Sequence, residues 1–131
     1  MAAQLSLEGL EEILTRVQQL GDQASRIENK ALKAGGAVVQ KRASELAPRS
    51  RKAKRHMADN IKISGVKTKE GIKYVEVGPT RGDHSEFFYA KFLEFGTSKM
   101  TARPFMGPAA KESEGEVLET MKAQLRAGLG L

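Results

Sequence analysis

Residues 22–48 read DQASRIENKALKAGGAVVQKRASELAP. Ile27, Ala31, Ala34, Val38 and, a turn on, Leu46 mark one helical face, and no proline intervenes before Pro48. Gly21 and Asp22 read as a stop followed by a new N-cap. The spacing predicts one helix over 23–46. At 1.5 Å per residue it measures about 36 Å, against a radius of gyration near ~14 Å for a chain of this size, so it crosses the whole domain. Gly35 and Gly36 sit in its middle, each costing about 1 kcal/mol relative to alanine. Either another element packs close there or the helix kinks.

Upstream, Gln4 to Leu7 alternates polar and apolar, as a short strand does. Leu10, Ile13, Leu14, Val17 and Leu20 then recur at helical spacing behind Glu8, Glu11 and Glu12, which predicts a helix over 8–20. Downstream, residues 57–64 and 71–77 place Ile61 and Ile63, then Ile72 and Tyr74, with Val75 and Val77 on the other parity. Separated by the turn-rich stretch 65–70, they predict an antiparallel hairpin. Residues 78–85 (GPTRGDHS) are too rich in breakers to be regular. Val117, Leu118, Met121 and Leu125 recur at helical spacing behind Glu112, Glu114 and Glu116, which predicts a terminal helix over 108–129. The expected fold class is α+β: a small antiparallel sheet packed on the long helix and a C-terminal helix, in a single domain spanning 1–131.

Composition narrows the function. At 131 residues the chain is about one domain's worth, and 40% hydrophobic with 29% charged residues is globular rather than membranous. With no cysteine, disulfides, thiolate metal sites and cysteine nucleophiles are excluded. No apolar run approaches a membrane span, and the first ten residues lack a basic region followed by an apolar stretch, so a cytoplasm-like compartment is expected. The net charge of +6 is local: residues 30–56 carry nine bases and one acid. Arg49, Arg51, Lys52, Lys54 and Arg55 sit within seven residues beside His56, with no acid among them. Such a cluster either attracts a polyanion or is a solvated, self-repelling loop. No aromatic precedes Tyr74, so base stacking near it is not expected.

Catalysis finds no home in the pattern. Asp83, His84 and Ser85 are chain neighbours, whereas triads assemble from separated segments. Asp83, His84 and Glu86 have metal-ligand types without a recognised spacing. Arg81-Gly82-Asp83 matches an adhesion tripeptide and is read as chance. Neither glycine-rich phosphate-loop pattern occurs. Glu94 is one carboxylate in an aromatic-apolar run, and without a second acid or base it reads as a hydrogen-bond acceptor. No cofactor and no metal are expected.

Residues 89–110 read YAKFLEFGTSKMTARPFMGPAA and carry the most specific signal. Five of the seven aromatics lie in residues 87–95. Tyr89, Glu94, Phe95, Gly96 and Thr97, a short spacer, then Pro104, Phe105, Pro108 and Ala109 form a Y-A-x-x-[VL]-E-[FY]-G-T … P-F-x-x-P-A pattern. It resembles the signature of the gene-product-ten-like tail-component family of long-tailed bacteriophages. The rest of the chain is consistent with that family over nearly its whole length, except that Arg49 to Arg55 replaces a Thr-Gly common after the Ala-Pro. Physically, Phe105 between two prolines is a stiff anchor, and Pro108 suits the first turn of a helix. Gly96 suits a positive φ that reverses the chain, and Glu94 is placed to accept from Thr97 or from backbone donors there. This corner serves as an interface, as the domain's own core, or as both.

The resemblance implies a non-enzymatic virion protein, assembled in the host cytoplasm and located at the head–tail junction as a neck or tail-completion component. It implies a homo-oligomeric ring, with sixfold symmetry the family expectation. It implies tail-tube or tail-terminator partners on one side and head-closure or connector proteins on the other. Genomic DNA passing through the lumen then gives Arg49, Arg51, Lys52, Lys54 and Arg55 nonspecific phosphate contacts to make. The alternative from charge alone is a small stand-alone nucleic-acid-binding protein.

Overall fold

A computed structural model describes residues 3–47, 57–79, 94–99, 101–102 and 104–131. In chain order it comprises β1 (Ala3–Ser6), α1 (Glu11–Gln18), α2 (Ala24–Leu46), β2 (Lys62–Ile63), β3 (Lys67–Lys69), β4 (Ile72–Gly78) and α3 (Met106–Gly128). Short 3-10 turns occupy Gly21–Gln23 and Met57–Asn60. The architecture is the α+β arrangement expected: one small antiparallel sheet with the long helix and the C-terminal helix.

β4 is the sheet's central strand, with β1 antiparallel on one side and β2 and β3 antiparallel on the other. The register sets Leu5 opposite Val75 and Ala3 opposite Val77, so strand alternation turns those side chains to the core. The hairpin differs from its expectation. Its tight turn is only Glu70 and Gly71, with φ of 53° and 81°, the two left-handed residues of a type I′ loop. Lys67–Lys69, expected within the turn, is strand. The strand expected across 57–64 is interrupted instead. Residues 64–66 face only 75 and 76, a bulge in which the Ser64 hydroxyl accepts the Glu76 N–H at 2.9 Å. The strand is shortened mainly at its start, where Met57–Asn60 forms a 3-10 turn, and it ends at this bulge.

The helices also depart from sequence periodicity at their starts. α1 begins at Glu11 because Gly9 has φ +89° and the Leu10 N–H bonds Leu7 O in a turn. Asp22 does not cap α2; it lies in the 3-10 turn, and Gln23 precedes the helix without a side-chain cap. The buried stripe of α2 is displaced by about one residue from the apolar face read in the sequence. Ala31 is buried, but Glu28, Leu32, Gly35, Val39 and Ala43 take the centre, while Ile27, Val38 and Leu46 flank it. The centre of the stripe passes through Gly35 and Gly36, which an apolar periodicity does not register.

α3 runs antiparallel to α2, since Ile27 meets Gly128, Gly35 meets Met121 and Arg42 meets Glu112. A Cβ on Gly35 would lie 2.9 Å from Met121 Cγ, and one on Gly36 3.1 Å from Ile63 Cγ2. The glycine pair therefore admits α3 on one side and β2 on the other, and α2 continues unbroken. α3 answers with Ala109, Ser113, Val117, Met121 and Leu125, a buried stripe spaced by four. Buried Glu28 is paired to Lys73 of β4 at 3.3 Å, and that ammonium also donates to Ser25 Oγ and Asn29 Oδ1. Gln40 donates to Ile61 O at 2.6 Å and Lys33 to Ser64 O at 3.1 Å, so α2 holds the entry to the sheet through backbone acceptors.

Candidate assembly interface

The first four N–H groups of an α-helix have no partner within it. At the start of α3 these belong to Phe105, Met106, Gly107 and residue 108. Glu94, eleven to thirteen residues upstream, accepts the first three: Phe105 N–H at 3.0 Å and Met106 N–H at 2.8 Å on Oε1, Gly107 N–H at 3.0 Å on Oε2. The fourth position is Pro108, which has no N–H to satisfy. Every orphan donor is thus accounted for by one carboxylate and one proline, and the negative charge sits where the helix dipole favours it. Gly107 has a reason as well, because a Cβ there would come 3.0 Å from Glu94 Oε2. The donors to Glu94 are those of the helix turn rather than Thr97, whose Oγ1 instead accepts the Lys99 N–H at 3.2 Å.

α3 therefore starts two residues before the expected position, at Met106, with Pro108 as its third residue. Phe105 just ahead of it is 0% exposed, the largest fully buried side chain among the described residues. Gly96 has φ +75°, and on its near side Phe95 stands 75% exposed. Within two adjacent residues the chain turns a carboxylate inward to the helix and an aromatic ring outward to solvent. Pro104 is exposed, Pro108 half-buried and Ala109 buried. Tyr89, the basic residues Arg49, Arg51, Lys52, Lys54 and Arg55, His56, and the Asp83, His84, Ser85 and Glu86 group all lie outside the described residues.

Alongside the corner runs an open groove of about 820 Å³ between β1 and α3. Its floor is Leu5, Val39, Val117 and Met121, with Leu118 at the rim, 37% exposed. The sequence did not reveal it, because its lining comes from β1, α2 and α3, which are far apart in the chain. Arg42 binds Glu112 at 2.6 Å and Glu45 at 3.0 Å, and the Glu112 carboxylate, then Glu45, raises the guanidinium's pKa above its ordinary value. The Gly9 N–H, donating to Glu11 Oε1 at 2.9 Å, holds that carboxyl below its usual range. Among the described residues no group of three or more acidic or histidine side chains is placed to hold a metal ion, and no helix is long and apolar enough to cross a membrane.

No match to the chain was found among curated proteins or among solved structures. One family model does match, described as "Bacteriophage HK97-gp10, putative tail-component", over residues 11–96. The span includes α1, α2, the sheet strands β2 to β4 and the Glu94-Phe95-Gly96 corner, and it stops before Phe105 and Pro108. Covering well over half of the chain, it establishes that the protein belongs to the HK97-gp10 family of bacteriophage tail components.

Proposed function

We propose that residues 1–131 act as one head–tail joining domain that assembles into a ring at the neck or tail end of the virion. The ring, with six subunits, caps the tail tube, docks the head-closure or connector proteins and leaves a channel for genomic DNA. The observation that carries this reading is the family match over 11–96. The rigid corner at Glu94 supports it, since a subunit of a closed ring needs surfaces whose geometry is held by the fold. Mechanism here is geometric: each copy presents the same rigid faces, and nothing is turned over chemically.

The decisive experiment is assembly of particles lacking this chain. Heads and tails of normal length that fail to join support the reading; joined particles in normal yield overturn it. The basic cluster has a separate test. Replacing Arg51, Lys52, Lys54 and Arg55 by serine is expected to leave the fold intact and to weaken DNA retention in a salt-dependent way, since each neutralised phosphate contributes about 0.9 to the logarithmic salt slope on duplex DNA. Retention equal to the parent at every salt removes DNA contact from the loop's role.

A further inference from the structure

Resting on the ring proposed above, we infer that Phe95 of one copy docks into the groove between β1 and α3 of a second copy. Phe95 is the most exposed large apolar side chain among the described residues, yet its backbone is held on both sides. Glu94 before it is tied by three hydrogen bonds to α3, and Gly96 after it fixes the reversal at φ +75°. An aromatic presented on a preorganised backbone loses little entropy on binding and is the kind of anchor that dominates interfaces.

The receptor is on the same molecule. The groove floor of Leu5, Val39, Val117 and Met121 is apolar, and its volume exceeds what one phenyl ring needs. Charge agrees with the pairing. The turn that follows Phe95 carries Lys99, while the groove's exposed rim carries Glu8 and Glu114 against one base, Lys111. A knob on one surface and a hole on another give a heterologous contact, which generates a ring where the rotation closes. Gly107 belongs to both features, donating its N–H to Glu94 and lining the groove, so the start of α3 holds the two in fixed relation.

The chain's lack of cysteine makes the contact directly readable. Chains carrying Ser98→Cys, in the exposed turn after Phe95, are mixed with chains carrying Gly115→Cys, on the groove lining with open space around it, and treated with a short bismaleimide, so that Phe95 and Leu118 stay intact. A cross-linked heterodimer in the mixture, formed faster than homodimers of either variant, is the expected result. Sedimentation of Phe95→Ala is expected to show self-association weakened about 30-fold, as for a central aromatic hot spot, at an unchanged melting temperature. Leu118→Glu, on the opposite half of the contact, is expected to do the same. Absence of the cross-link at concentrations where the parent associates overturns the inference, as does a Phe95→Ala chain that associates like the parent. A parent chain that stays monomeric to millimolar concentration overturns it too. In all three cases the joining of heads to tails still judges the ring proposal separately.

Discussion

Phe95 and Phe105 are ten residues apart on either side of one turn, and they meet opposite environments. Phe105 is fully buried beneath the start of α3, whereas Phe95 stands in solvent beside a carboxylate that reaches back to the same helix turn. Both are apolar and both are positioned by the Glu94 cap, so hydrophobicity alone does not separate them. Direction does. Glu94 must point inward to collect three N–H groups, and the residue after it is thereby aimed away from the core. Phe105 anchors the fold; Phe95 is left for something outside it.

The sharpest way to break this contrast is to empty the two sites in turn. Phe105→Ala is expected to cost about 3–5 kcal/mol, the usual range for removing a buried phenylalanine, read as a lower denaturant midpoint at unchanged slope. A midpoint equal to the parent's would show that the ring is not buried. Phe95→Ala, at the other end of the scale, belongs last among these effects.

Next in size is the glycine contact that brings α3 to α2. Gly35→Ala gains about 1 kcal/mol of helix propensity but must move Met121, whose Cγ lies 2.9 Å from the new methyl, and overpacking costs typically 1–3 kcal/mol. The net expectation is a loss of up to about 2 kcal/mol. Gly115→Ala, in the same helix as Met121 but with open space around it, is the control and is expected to stabilise by up to about 1 kcal/mol. Thermal melts of the pair moving in the same direction would refute close packing at Gly35.

Glu94→Ala tests the link between the two phenylalanines. Loss of the cap is expected to cost about 1–2 kcal/mol, the range for helix N-caps, with water replacing part of the carboxylate. Glu94→Gln keeps one acceptor oxygen and is expected to recover part of that cost. Hydrogen exchange at Phe105, Met106 and Gly107 should quicken in both variants, and unaltered exchange there would mean the carboxylate does not hold those donors. Phe95→Ala, the smallest effect on stability, is expected to stay within about 0.5 kcal/mol of the parent, as exposed substitutions do. A larger loss would place its ring against the molecule and erase the contrast.

The local elements were largely legible in the sequence, and so was the family. Proline-free helical spacing over 23–46 and the amphipathic run ahead of Leu129 marked the two long helices, because periodicity is a property of the chain itself. Of the two motif halves, Glu94 to Gly96 lies inside the span that the family matches, and the P-F-x-x-P half lies beyond it. What each half does for the other was not in the spacing. Glu94 and the α3 amides are separated by a connector whose path no local rule specifies, so only the folded chain joins acceptor to donors. The same holds for Gly35, which reads equally as kink or contact until Met121 is placed against it. Ser64 and Lys67–Lys69 were misread for a related reason: a hydroxyl that accepts a strand N–H, and a loop cut to Glu70 and Gly71 so that the residues before it join the sheet, are settled by the pairing register, not by propensity. The sequence by itself determined periodicity, charge and kinship, which are carried residue by residue. Tertiary structure decided which of two similar phenylalanines is core and which is surface, because burial depends on where distant backbone donors come to rest.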